Sequence, residues 1–307
     1  MEHCNRESGV KMAYLNEESL EKLIVTQMVD GGWREGDAGA FNASYALDLG
    51  EFVAFVEATQ PQLIEPLGLE VESPKQHKFL ARLQGEITRR GVVHLLRNGL
   101  DHLGHHIDLY YPTPSVGNMS AAEAFAENRW LITRQVHHSV SQPGDAIDLV
   151  AFVNGLPLFT FELKNNITKQ TVDDAVTQYQ RDRDARDPLC GFGRTLAHFA
   201  LDDQRVKFCT DLKGKSSWFL PFDQGYNHGA GNPPNPNGVK TDYLWKQTLA
   251  PPSLAGIIEN YAQVVEEKNP KTGKKSRKAI FPRFHQLDVV RELLIDVATN
   301  GAGRRYL

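Results

Sequence analysis

Apolar residues recur at helical spacing through the amino-terminal part of the chain. Leu20, Leu23, Ile24 and Met28 make one stripe across Glu17 to Val29, and Gly31-Gly32 closes it. A second helical region runs from Leu47 to Glu57 and gives out near Pro61. A third spans about Lys75 to Thr88, ahead of Arg89-Arg90-Gly91. The short apolar run Val92 to Leu96 reads as a strand, and Thr113 to Gly117 as a loop.

From Trp130 the alternation shortens to that of β-structure. Leu131-Ile132-Thr133 and Gln135-Val136 predict one strand. Ile147 to Val153 and Leu158 to Lys164 flank Asn154-Gly155, a dipeptide that favours tight hairpin turns because both of its residues tolerate positive φ. A helix is expected at Thr171 to Arg183 and a strand at Leu196 to Ala200. Val206-Lys207-Phe208 and Trp218-Phe219-Leu220 are candidate edge strands. Gly225 to Gly238 reads as an irregular loop, and the lysine-rich stretch Lys268 to Lys278, without an apolar pattern, as a mobile linker. Gln286 to Val297 reads as a helix that opens a new unit. No repeat at solenoid spacing occurs.

Composition narrows the class. The 307 residues, 41% of them hydrophobic and 23% charged, can bury one sizeable core. No apolar stretch reaches the length of a membrane span, and the amino terminus lacks the apolar segment of a signal peptide. Cys4, Cys190 and Cys209 are scattered and odd in number, which fits a cytoplasmic location and no disulfide framework. A net charge of −4 argues against a constitutive coat for nucleic acid, while leaving room for local basic groups.

The residues that carry candidate chemistry interrupt the apolar strands. Asp148 stands in one arm of the hairpin, and Glu162 and Lys164 stand in the other. Two carboxylates on interior strands repel and lose hydration, a cost that a shared cation relieves; oxygen-only ligands suit a hard ion such as Mg²⁺. Glu162 and Lys164 are two apart and so share a strand face. Lys164 is thereby placed to orient water or to stabilise phosphoryl charge. An Asp…Glu-x-Lys triplet also arises by chance, as solvated polar residues at a strand end; here the buried setting of both strands favours the site. His102, His105, His106, His137 and His138 suggest zinc less well, because no cysteine is near and adjacent histidines diverge. Arg89 and Arg90 fit an exposed helix end as well as they fit a phosphate contact.

The run from Ile147 to Pro157, continuing through Glu162-Leu163-Lys164-Asn165, resembles the PD-(D/E)XK nuclease motif of type I restriction enzyme R subunits. The resemblance extends upstream to Asn128-Arg129-Trp130 and Arg134-Gln135-Val136. Downstream it takes in Ala197-His198-Phe199-Ala200, Trp218 to Phe222, Ala230 to Pro234 and Tyr243-Leu244-Trp245. It implies an α/β, restriction-endonuclease-like core with a mixed central sheet flanked by helices. Asp148 and Glu162 become metal ligands and Lys164 the catalytic lysine, with Ile147 where the motif has proline. Glu17 and Glu21 match an acidic pattern on the first helix, which makes Glu17 a further metal ligand and leaves Glu21 structural; the alternative is that Glu17 and Glu18 simply complement the positive end of the helix dipole.

Many members of that family carry QxxxY on the following helix. Gln178 matches the glutamine, but Asp182 holds the tyrosine position, so Gln178, Tyr179, Arg181 and Arg183 are candidate DNA contacts. Phe281 to Gln286 resembles the Q motif ahead of a helicase motor, with Gln286 reading adenine. A phosphate loop would follow a strand like Arg305-Tyr306-Leu307; no GxxxxGK[ST] occurs in the chain, so no ATPase is expected of it. The expected divisions are an endonuclease domain over residues 1–263, a lysine-rich linker over 264–280 and the start of a motor over 281–307. The implied cofactors are Mg²⁺ and, for the longer protein, ATP. The implied partners are double-stranded DNA and the methyltransferase and specificity subunits. A non-catalytic docking domain is the alternative, and another PD-(D/E)XK enzyme such as a repair nuclease a third.

The hairpin carries its own test. In a strict two-residue hairpin Val153 pairs with Leu156, and Asp148 falls opposite Phe161, on the face that Glu162 and Lys164 do not share. A shared cation therefore demands a bulge or an odd-length loop, expected near Leu156-Pro157, where proline has no N–H to lose from the ladder. Like-charge repulsion also predicts that removing either carboxylate slightly stabilises the metal-free fold.

Overall fold

The computed structural model describes residues 17–165, 169–268, 272–273 and 275–301. Its centre is a mixed seven-stranded sheet. In chain order the strands are β1 (Arg34–Glu35), β2 (Trp130–His137), β3 (Ala146–Val153), β4 (Leu156–Leu163), β5 (Ala197–Leu201), β6 (Val206–Cys209) and β7 (Leu220–Pro221), and they are neighbours in that same order. β1 runs parallel to β2 and β4 parallel to β5; the other adjacent pairs are antiparallel. β3 and β4 are apolar on both faces because both faces are covered.

Leu149, Ala151, Val153, Phe159, Phe161 and Leu163 point into the larger core, shared with helices α1 (Glu17–Asp30), α2 (Leu49–Thr59), α3 (Pro74–Arg90) and α4 (Val92–Asn98). Val150 and Phe152 point into the smaller core, which α5 (Val172–Arg181) covers with Val172, Ala175 and Tyr179. α5 is the crossover between the parallel strands β4 and β5. It starts at a Thr171 cap, and Asp202, just past β5, accepts from its first N–H.

The turn between β3 and β4 is a two-residue one, with Asn154 and Gly155 at φ 51° and 77°. Unusually for a hairpin tip, it is buried. Asn154 accepts from the Arg129 N–H (2.7 Å) and donates to the carbonyl of Leu109 and the side chain of Asn128 (both 3.0 Å). Asn128 in turn bonds both backbone groups of Tyr111. The carbonyl of Gly155 receives the N–H of Asp48, the residue that caps α2. A Cβ at Gly155 would lie 2.3 Å from the Asp48 carbonyl oxygen and 2.7 Å from the Phe52 nitrogen.

Beyond the turn the ladder breaks register once. Val153 faces Leu156 and Phe152 faces Pro157, but Ala151 faces Phe159, Val150 faces Thr160 and Leu149 faces Phe161. Leu158 is the additional residue, and it enters the larger core together with its neighbour Phe159. The expected bulge is therefore present, one residue past Pro157.

Two expectations are corrected. Val92 to Leu96 is helical: Val92, Val93, Leu95 and Leu96 are buried while Arg97 is exposed, and a short apolar run does not by itself separate strand from helix. The lysine-rich segment belongs to an antiparallel hairpin, β8 (Gln263–Lys268) with β9 (Lys275–Ile280); Asn269, Pro270, Lys271 and Lys274 lie outside the described residues. This hairpin is docked. Arg277 donates to the carbonyls of Thr88 and Arg89 at the end of α3 (2.7 Å each) and sits 5.0 Å from the Phe192 ring centre. Phe281, just after β9, is buried against Phe159, Phe199, Phe208 and Phe222, and α6 (Phe284–Asn300) follows.

Gly155→Ala tests the docking of the turn. It forces a side chain into the left-handed region against backbone that cannot move aside, and is expected to cost at least ~2 kcal/mol. The midpoint of urea unfolding measures this.

Candidate active site

Past Leu149 and Phe161 the β3–β4 ladder opens. The first residues of β3, Ala146 and Ile147, pair only with β2, and the last of β4, Glu162 and Leu163, pair with Ala200 and Leu201 of β5. The fork between them is where the candidate residues stand. With Leu158 added, alternation brings Asp148 onto the same face as Thr160 and Glu162. Asp148 Oδ2 accepts from the Leu163 N–H at 2.7 Å, a side-chain bond across the opened ladder. The Lys164 N–H bonds to the Leu201 carbonyl (2.9 Å), so the strand stays extended and Lys164 joins Glu162 on one face. The structure thus gathers Asp148, Glu162 and Lys164.

The electrostatics of the fork are those of crowded carboxylates. Glu162 is fully buried; burial and then the Asp148 charge push its carboxyl up to about 8, against the pull of Arg183. Burial also raises Asp148, opposed by the Leu163 hydrogen bond and Lys164. Arg183 Nε donates to Glu162 Oε1 at 2.6 Å, and its Nη2 donates to the Ala146 carbonyl at 2.6 Å. Glu162 Oε2 is buried with no hydrogen-bond partner. An orphaned carboxylate oxygen beside a second carboxylate suits a hard divalent cation. Among the described residues no three His, Cys, Asp or Glu side chains converge to hold a metal. A cation here would take its other ligands from water and substrate oxygens, as Mg²⁺ commonly does.

Helix α1 supplies acidic neighbours. Glu17 Oε1 pairs with Lys164 Nζ at 2.9 Å, so this carboxylate is engaged by the lysine. Glu21 is buried and accepts from Gln135 (2.6 Å), with Arg134 at 3.7 Å, and burial and the nearby Asp148 charge raise its carboxyl. Gln135, at φ 49°, is the residue of β2 that lies opposite Asp148 where the β2–β3 pairing is interrupted.

Two of the expected DNA contacts are corrected. Tyr179 is fully buried, and its hydroxyl shares a 2.7 Å hydrogen bond with Thr160, which also bonds His198 (2.7 Å). Arg183 is buried on Glu162. Tyr179 is thus taken up by the core and Arg183 by its ion pair at the edge of the cavity. Arg181 is exposed and lines an open cavity of about 630 Å³ beside Arg183, together with Gln142, Asp145, Gln180 and Arg186; Gln178 is half-buried. Gln286 accepts from the Arg283 N–H at the start of α6. The histidines form no zinc site among the described residues; His106 pairs with Asp101, and His138 is buried with Asp187 3.7 Å from its Nε2. Sequence reasoning missed Arg183 as the mate of Glu162. The signal available was only that a buried carboxylate requires one.

Two measurements follow. The raised carboxyl of Glu162 means that its proton stabilises the metal-free fold. That contribution is full below the ordinary value of 4.5 and is lost as pH rises through about 8. In EDTA the melting midpoint of the wild type, taken relative to Glu162→Gln, is expected to fall across this window; a parallel pair of curves refutes it. Removing Glu162 altogether is not the mild stabilisation that repulsion alone predicts, because it strands the buried Arg183 guanidinium. Glu162→Ala is expected to lose about 3–5 kcal/mol in metal-free urea unfolding.

No curated protein matches the chain. A family model described as type I restriction enzyme R protein N terminus matches residues 54–217, from within α2 to beyond β6. The matched stretch is more than half of the chain and contains Asp148, Glu162, Lys164, Arg183 and the β4–α5–β5 crossover. The chain belongs to the family of type I restriction enzyme R proteins, of which it carries the amino-terminal region.

Proposed function

We propose that this region is a Mg²⁺-dependent endonuclease domain of PD-(D/E)XK type, cleaving phosphodiester bonds of double-stranded DNA. The observation that carries the reading is the shared face of Asp148, Glu162 and Lys164, with Glu162 Oε2 buried and unpartnered. Asp148 and Glu162 would hold the ion, which when bound would supply Lewis acidity to a phosphodiester oxygen. Lys164 stands beside them with its ammonium restrained by Glu17, positioned to donate to a phosphate oxygen as negative charge develops or to orient the attacking water. Asp148 is held by the Leu163 N–H, so the ligand geometry needs little rearrangement when substrate arrives. The exposed Arg181, on the cavity beside the fork, would meet the DNA backbone.

In the assembled cytoplasmic enzyme, cleavage would follow ATP-driven translocation, with Gln286 contributing to adenine recognition. Methyltransferase and specificity subunits would supply sequence recognition. Asp148→Ala, Glu162→Ala and Lys164→Ala are each expected to lower DNA cleavage by the assembled enzyme on the order of 10²–10³-fold or more, with ATP-driven translocation retained. Cleavage that survives in all three variants sinks the assignment.

A further inference from the structure

We propose that Arg183 is the resident counter-cation of the Asp148–Glu162 site. It lets the fold stand without a metal ion, and by its charge it loosens the grip on the ion that later enters. The proposal rests on reading this site as a metal centre, and it concerns a residue outside the carboxylates and lysine that define that centre.

The geometry is specific. Arg183 reaches across the opened ladder, with Nε on Glu162 at the end of β4 and Nη2 on the Ala146 carbonyl at the start of β3, both at 2.6 Å. Its side chain is 5% exposed, and that of Glu162 is 0%. It stands two residues past the end of α5, whose Tyr179, four residues earlier, is locked by Thr160 in the same β4 strand that carries Glu162. The guanidinium therefore takes one carboxylate oxygen and leaves Oε2 without a partner.

Charge then decides the outcome. Lys164 also acts on both carboxylates, but its pairing with Glu17 adds no net charge, so Arg183 is the unbalanced cation beside Asp148 and Glu162. In the ion-binding form, with both carboxylates ionised, two carboxylates and one guanidinium sum to −1, and a divalent ion takes that to +1. Without Arg183 the same ionised carboxylates sum to −2, and the loaded site is neutral. Buried carboxylates left without a counter-ion are costly, whereas a cation entering a site free of guanidinium meets no repulsion. Arg183 thus exchanges metal affinity for a metal-free state that folds.

The test uses the full chain and Mn²⁺ alone, with dissociation constants from titration and melting midpoints with and without the ion, for wild type, Arg183→Gln, Arg183→Lys and Asp148→Asn. The expected result for Arg183→Gln is a lower metal-free midpoint, a larger rise with Mn²⁺ and a dissociation constant at least about tenfold smaller. Arg183→Lys keeps the charge and is expected to stay within about threefold of wild type. If Arg183→Gln does not fold even with Mn²⁺, Arg183→Lys decides. Near-wild-type affinity and midpoint uphold the charge role, and tenfold weaker binding overturns it. Unchanged or weaker Mn²⁺ binding in a folded Arg183→Gln also overturns the proposal while the metal site stands. Asp148→Asn that binds Mn²⁺ like wild type removes the metal site itself, and the proposal with it.

Discussion

One additional residue in β4 determines whether two carboxylates of this sheet can act together. Leu158 has no mate in β3, and because side chains alternate strictly along a strand, its insertion moves every later residue of β4 to the other face relative to β3. Without it, Asp148 would share its face with Phe161, and Glu162 and Lys164 would enter the larger apolar core. The bulge is tolerated because Leu158 and Phe159 both find room in that core, and because the neighbouring Pro157 has no N–H to leave unpaired. The candidate site therefore depends on how well the opposite face is packed.

The buried turn secures this arrangement. Asn154-Gly155 is pinned by Asn128, Arg129, Leu109 and Asp48, so the hairpin cannot slide to the regular register without breaking polar contacts in a region closed to water. Asn128, Arg129 and Trp130, which figure in the family resemblance, are in this light residues of the turn and of the strand beside it. A motif that reads as functional thus includes groups whose task is to hold strand register.

The fork where β3 and β4 part concentrates charge in a low-dielectric setting, and each charge there has acquired a specific mate. Lys164 is held by Glu17, Glu162 by Arg183, and Asp148 by a backbone N–H. Glu162 Oε2 is the exception. A carboxylate oxygen left unsatisfied beside a second carboxylate suits the divalent cation proposed above.

Much of this was legible in the sequence because it rests on local rules. Periodicity gave α1, α2 and α3, alternation with Asn-Gly gave the hairpin, and polar residues inside apolar strands gave Asp148, Glu162 and Lys164. The demand for a bulge also followed from the alternation, since only two faces exist. What lay beyond reach were contacts between residues distant in the chain. Val92 to Leu96 is helical because of the surface it packs against, and Arg277 of the lysine-rich stretch is held by the end of α3 and by Phe192. Arg183 turns inward because α5 is anchored on the strand that carries Glu162. A local pattern states which side chains cannot face water, but which buried charge meets which is decided only when the strands, the crossover helix and the bulge close on one another.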